Sequence, residues 1–302
     1  MFHLFLAISS IYIFILLGYS AKYFFKERID EKSINLLSVY FLQIFLTFWG
    51  LLKRPLDAEL LLTPIIYLLI VVIVLIFTFF IAKQLFQDNK ERSIASIAAL
   101  IGNTGNLGIP IGIAIFGEES IPYTTLINLM NVFIVYTLGV YFYSRGDFSI
   151  QASIKNIFKL PVLWFAVLAI FINITNVKLP IEIMNVLQMG AYASMVIQLM
   201  ILGMYFYSVK FQNINIKLTT HVQSIKFIVL PFIAFSVLYF SSFSPIVKGI
   251  IFMELFMPLA ITNVNLGSLY NCKPKDITAQ IFISSFLFLV LSFFALYLIG
   301  LF

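Results

Sequence analysis

Ten apolar runs decide what this chain can fold into. They lie at about 3–24, 34–52, 61–82, 93–116, 121–143, 160–177, 181–207, 224–242, 247–270 and 277–301. Most reach the length of about 20 residues that a helix needs to cross a bilayer. Hydrocarbon offers no water to backbone N–H and C=O groups, so each run must close its own hydrogen bonds as a helix. With 62% hydrophobic and 11% charged residues over 302 positions, the apolar surface exceeds what one water-soluble core can hide. The chain reads as an all-α, polytopic integral membrane protein. No basic region precedes the first run and no small-residue cleavage site closes it, so it reads as a retained helix. The single Cys272 leaves no intrachain disulfide framework or cysteine metal cluster.

The net charge of +6 could suggest a nucleic-acid partner, but its distribution gives a better account. The connections after runs 1, 3, 5, 7 and 9 hold Lys22, Lys26, Arg28, Lys32, Lys83, Lys90, Arg92, Arg145, Lys155, Lys159, Lys210, Lys217, Lys226, Lys273 and Lys275. The opposite side holds only Lys53, Arg54, Lys178 and Lys248. Fifteen against four places the odd-numbered connections in the cytoplasm and both termini outside the plasma membrane. The longest of those connections divides the chain into a first five-helix repeat (1–145), a cytoplasmic connection (146–159) and a second repeat (160–302). An odd number of spans per half inverts the second half relative to the first, an architecture of many secondary transporters.

Two runs carry helix breakers near their centres. In the fourth, Asn103–Pro110 reads NTGNLGIP; the ninth reads MELFMPLAITNVNLGSLYN, with Pro258 at its centre and Asn263 and Asn265 just beyond. Proline lacks an amide hydrogen and clashes with the carbonyl four residues earlier, so Pro110 should free the Asn106 carbonyl and Pro258 that of Glu254. Gly105 and Gly108 let the backbone leave helical geometry. Each second half-helix then begins at mid-membrane with unpaired N–H groups and a partial positive charge. Facing each other from inverted repeats, two such ends suit an anion, above all a carboxylate.

The string NTGNLGIP, followed by Phe116-Gly117-Glu118, resembles the signature of the auxin efflux carrier family, which includes plant auxin exporters and bacterial malate-type permeases. Pro258 with Tyr270-Asn271, and Gly190-Ala191 with Leu202-Gly203, resemble that family's ninth and seventh spans. The resemblance implies a ten-helix fold in which spans 4 and 9 cross as an X, shared with bile-acid sodium symporters and sodium/proton antiporters. Asn263 stands where some members have a second proline. The connection at 146–159 lacks the long hydrophilic loop of many plant members.

These observations assign substrate contacts to Asn103, Thr104, Gly105, Asn106, Gly108, Pro110, Pro258, Asn263, Asn265 and Gln43. Asn103 and Thr104 orient the carboxylate in this reading. Asn128, Asn131, Asn185 and Gln188 read first as helix-packing residues, and Gln198 either lines the cavity or bonds across helices. Glu254, an acidic residue well inside a span, is the coupling candidate, as a proton carrier or within a cation site; the alternative is a place in an outward water-filled vestibule. Spans 1, 2, 6 and 7 are expected to form a scaffold or dimer-contact domain, and a homodimer is expected. There is no HExxH, no GxSxG with a partnered His and no metal-spaced cysteine or histidine cluster, so neither an enzyme nor a cofactor or metal is expected. The expectation is a secondary transporter of a small organic anion, with bilayer lipid and a proton as its other partners and no nucleic acid. A sodium-coupled symporter of the bile-acid type and a non-transporting sensor are the alternatives.

Overall fold

Polar caps and prolines mark where the chain enters its helices. In the computed structural model, which describes residues 2–144, 155–207, 209 and 214–302, the carboxylates of Asp30, Asp57 and Asp88 each accept a backbone N–H from the first turn that follows. The Asn215 amide does the same. Such caps satisfy donors that a helix end otherwise leaves open. Pro161, Pro245 and Pro274 stand at helix starts, where a missing N–H costs nothing.

Among the described residues all regular structure is helical. Seven helices are long and apolar enough to cross a membrane. They are α1 (Phe2–Phe25), α2 with α3 (Glu31–Leu37, Gln43–Leu52), α4 (Ala58–Leu85), α7 with α8 (Ile121–Ile134, Val140–Tyr143), α10 (Ile181–Tyr207), α11 with α12 (Ile216–Ser224, Leu230–Tyr239) and α15 (Pro274–Ile299). Three of these pairs are joined through single π-helical turns, at Ser38–Leu42, Val135–Gly139 and Ile225–Val229. The remaining apolar runs do not make long helices. The sixth forms α9 (Pro161–Ile174), only 14 residues. The fourth divides into α5 (Asn89–Ile97) and α6 (Ile109–Phe116), and the ninth into α13 (Pro245–Phe256) and α14 (Thr262–Leu269), each interrupted where the sequence places its breakers. Most of the 146–159 connection lies outside the described residues.

The helices pack as two groups. One contains α1, α2–α3, α9 and α10, and the other contains α4–α8 and α11–α15. In the first group α1 and α10 approach backbone to backbone, because a Cβ on Gly18 would overlap the Met200 carbonyl and one on Gly203 the Ile15 carbonyl. Small residues at a helix contact allow such close dispersion packing, which drives association where lipid is as apolar as leucine.

Candidate functional site at the helix crossing

The two interrupted segments meet through their backbones. Past Leu100 and past Phe256 the chain leaves helical geometry, and Gly102 and Leu259 pair as a single antiparallel bridge. The Asn103 N–H donates to the Pro258 carbonyl at 2.8 Å, and the Ala260 N–H donates to the Ile101 carbonyl at 3.0 Å. Groups released by one broken helix are therefore satisfied by the other, which is what makes a break inside an apolar segment tolerable. Side chains complete the brace. Asn263 Nδ2 donates to the carbonyls of Ile101 and Ala260, both at 3.1 Å, and its Oδ1 accepts from the Tyr143 hydroxyl at 2.9 Å. Asn131 Nδ2 donates to the Gly102 carbonyl at 2.8 Å, and Leu259 N–H to Ser284 Oγ at 3.1 Å. Pro258 does not leave the Glu254 carbonyl bare as its chemistry suggests: the Met257 N–H closes onto it at 3.3 Å, a tighter turn replacing the lost bond.

Beside the crossing, between the two helix groups, lies a cavity of about 260 Å³. The first break supplies one wall: Gly102, Asn103, Thr104, Gly105 and Asn106. Thr104–Gly108 forms a π-helical turn leading into α6, with the N–H groups of Leu107 and Gly108 both on the Asn103 carbonyl at 3.2 and 3.0 Å. Asn128, Asn131 and Tyr136 contribute from the α7–α8 span, Thr262 and Asn265 from α14, and Asn35, Tyr40 and Gln43 from α2–α3. Thr104 Oγ1 is held by Asn128 Oδ1 at 3.1 Å. Asn103 is 3% exposed, and its Nδ2 finds no acceptor among the described residues. A buried amide donor left open costs about 1–3 kcal/mol, so the cavity presents a place for an acceptor.

The cavity ends differently on its two sides. Toward α2 and α9 its lining reaches Asn35 and Leu36, in the last turn of α2, and Leu160, just before α9. Along α3 in the other direction it meets a buried cluster of Leu46, Trp49, Ile109, Ile121, Ala191 and Met195, drawn from both groups. Beyond that plug, Glu118 receives Lys53 Nζ at 2.6 Å and the Tyr192 hydroxyl at 2.8 Å, and Arg54 donates to the Tyr123 hydroxyl at 2.5 Å. Each of these contacts bridges the groups. On the opposite face, Lys273 binds Asp88 at 3.0 Å and Glu91 at 2.5 Å, and Lys22 binds Glu31 at 2.6 Å. These pairs stay within one group. Lys273 beside Asp88 holds that carboxyl below the usual carboxylate range.

Glu254 and Lys226 lie under the crossing, both 1% exposed. Neither Glu254 oxygen has a hydrogen-bond partner among the described residues. The carboxylate rests against Gly108, where a Cβ would overlap it. In this structure Glu254 is buried and does not open to a vestibule. Lys226, on the Ile225–Val229 turn, lies inside a helix and not in a connection: its ammonium is 3.2 Å from where a Gly102 Cβ would lie. Its removal takes one from the set of fifteen, and the asymmetry survives.

A profile of the membrane transport protein family matches residues 3–296, nearly the whole chain. The chain belongs to that family. This membrane transport protein is also 29% identical, over 283 residues, to an uncharacterized transporter of Methanocaldococcus jannaschii; the match covers 90% of this chain and 91% of the archaeal one. Of the membrane transport protein's predicted site residues, Asn103, Thr104, Gly105, Asn106, Asn265 and Gln43 line the cavity together. Gly108, Pro110, Pro258 and Asn263 are absent from its lining. Pro110 occupies the first turn of α6, and Asn263 is spent on the brace. Asn128 and Asn131, which read from sequence first as packing residues, both brace the break and line the cavity. Their three-residue spacing on one span was the available signal.

Proposed function

We propose that this membrane transport protein is a secondary transporter of a small organic anion, a carboxylate, working by alternating access. The observation that carries the proposal is the buried Asn103 Nδ2 without an acceptor, at the start of a helical segment that runs from Thr104 to Phe116. Open amide hydrogens and the helix dipole both favour a negative ligand there. In this reading Asn103 and Thr104 orient the carboxylate, amides near Gly105 assist, and Asn106, Asn265 and Gln43 contact the remainder. Ten crossings in an inverted five-plus-five arrangement would take in the seven long helices, the short α9 and the two interrupted segments found among the described residues, and the charge asymmetry favours both termini outside the plasma membrane. With the odd connections cytoplasmic, the plugged end faces outward and the cavity points inward. The group containing α1, α3, α9 and α10 is the scaffold and the contact surface of a homodimer. Glu254 is the candidate proton carrier.

Binding of mono- and dicarboxylates to purified protein, followed by flux in proteoliposomes, tests the reading. Saturable carboxylate binding with flux is expected; binding without flux would make the protein a sensor. Outward movement of one negative charge gains about 2.3 kcal/mol per 100 mV when the interior is negative, so efflux needs no ion partner. If Glu254 carries a proton, Glu254→Gln loses its response to an imposed pH gradient and keeps substrate exchange. A strict sodium requirement in the parent protein would sink both uniport and proton coupling.

A further inference from the structure

Lys226 lies behind the cavity wall and outside its lining. Gly102 stands between them: it lines the cavity, and its missing Cβ leaves the space that Lys226 Nζ approaches. Among the described residues, the lining itself carries no charged side chain. The Glu254 carboxylate sits against Gly108, which is not part of the lining. Lys226 and Glu254 lie within electrostatic reach of each other, without any carboxylate oxygen within 4.0 Å of the ammonium among the described residues. Of the two, Lys226 is therefore the one placed against a residue of the cavity wall.

We infer that Lys226 is a selectivity residue: a fixed positive charge behind Gly102 that makes a neutral-walled cavity prefer a carboxylate over its uncharged analogue. The inference rests on the organic-anion reading above and names the group that enforces it. An ammonium exposed in the cavity would form a short ion pair that the ligand must break to leave. A charge shielded by one peptide still acts through the low-dielectric interior and leaves the ligand free to exit. Transport needs that balance between entry and release. A lysine serving only as counter-ion to Glu254 would affect folding and leave ligand charge unread.

The test is titration of the purified full-length protein with acetate, phenylacetate and succinate against acetamide, phenylacetamide and succinamide. The parent should bind at least one acid more tightly than its amide. Lys226→Met should weaken that acid by roughly ten- to a hundred-fold, as expected for a unit charge at this kind of range, and leave the amide within about twofold. If Lys226→Met does not fold, Lys226→Met with Glu254→Gln removes both charges, avoids a lone buried carboxylate and should show the same loss. An acid preference that survives in either folded variant overturns the inference and leaves the transport reading standing. A parent that binds none of the acids overturns both.

Discussion

The two broken helices are equivalent by position and unequal in use. Between Ile101 and Gly108 the first break spends its backbone on the crossing and presents side chains to the cavity, with the Asn103 amide left open. The second break gives its central amide, Asn263, entirely to hydrogen bonds within the protein, and only Ala260, Ile261, Thr262 and Asn265 reach the cavity. The proposed inverted repeat would supply two similar crossings, but one ligand of low symmetry would need only one polar wall. The other break can then be used to hold that wall in place.

The largest effect expected from this division is on stability. Asn263→Ala removes two donations and one acceptance in a fully buried setting, and should lower unfolding free energy by about 2–3 kcal/mol. Thermal unfolding in detergent measures it. Normal stability with selective loss of ligand would make the second break a binding wall and erase the contrast. Asn103→Ala should do the reverse, costing about 1–3 kcal/mol of carboxylate affinity, roughly five- to a hundred-fold, with the unfolding temperature nearly unchanged. Unaltered affinity in that variant would remove Asn103 from the site.

Pro110→Ala sharpens the comparison without touching the ligand. It restores an N–H in the first turn of α6 and should slow transport several-fold while changing stability by under about 1 kcal/mol. Flux and unfolding measured on the same preparation separate the two. The smallest effect belongs to the outer contacts. Glu118→Gln weakens a half-exposed ion pair, worth at most about 1 kcal/mol. It should raise the labelling rate of a cysteine placed at Leu46 from outside by no more than about fivefold. A faster rate from the cytoplasmic side instead would reverse the assigned orientation.

Much of this was legible in the sequence because proline and glycine act locally: the NTGNLGIP string and Pro258 mark interruptions whatever their neighbours are. The partner across the crossing is a tertiary fact, and so the brace made by Asn263, like its exchange of ligand for backbone, was not readable. Asn128 and Asn131 sit on a span buried over much of its surface, where apolar periodicity no longer tells which side meets a cavity. Lys226 was misplaced for a different reason. A lysine next to a membrane border is ordinarily solvated, and its position inside the run at 224–242, between Ile225 and Phe227, was the signal that it is not.

The ion pairs on the two faces differ in what they join. The Lys53–Glu118 pair crosses between the helix groups and is partly open to solvent, whereas the Lys273 and Lys22 pairs each stay inside one group. Dissolved salt screens exposed charges over about 8 Å at physiological ionic strength. If the protein alternates between two orientations as proposed, salt on the side of that pair would shift the balance between them, and salt on the other side would act on no equivalent bridging ion pair among the described residues. A carrier built in this way would be polarised toward its surroundings before any substrate or membrane potential acted on it.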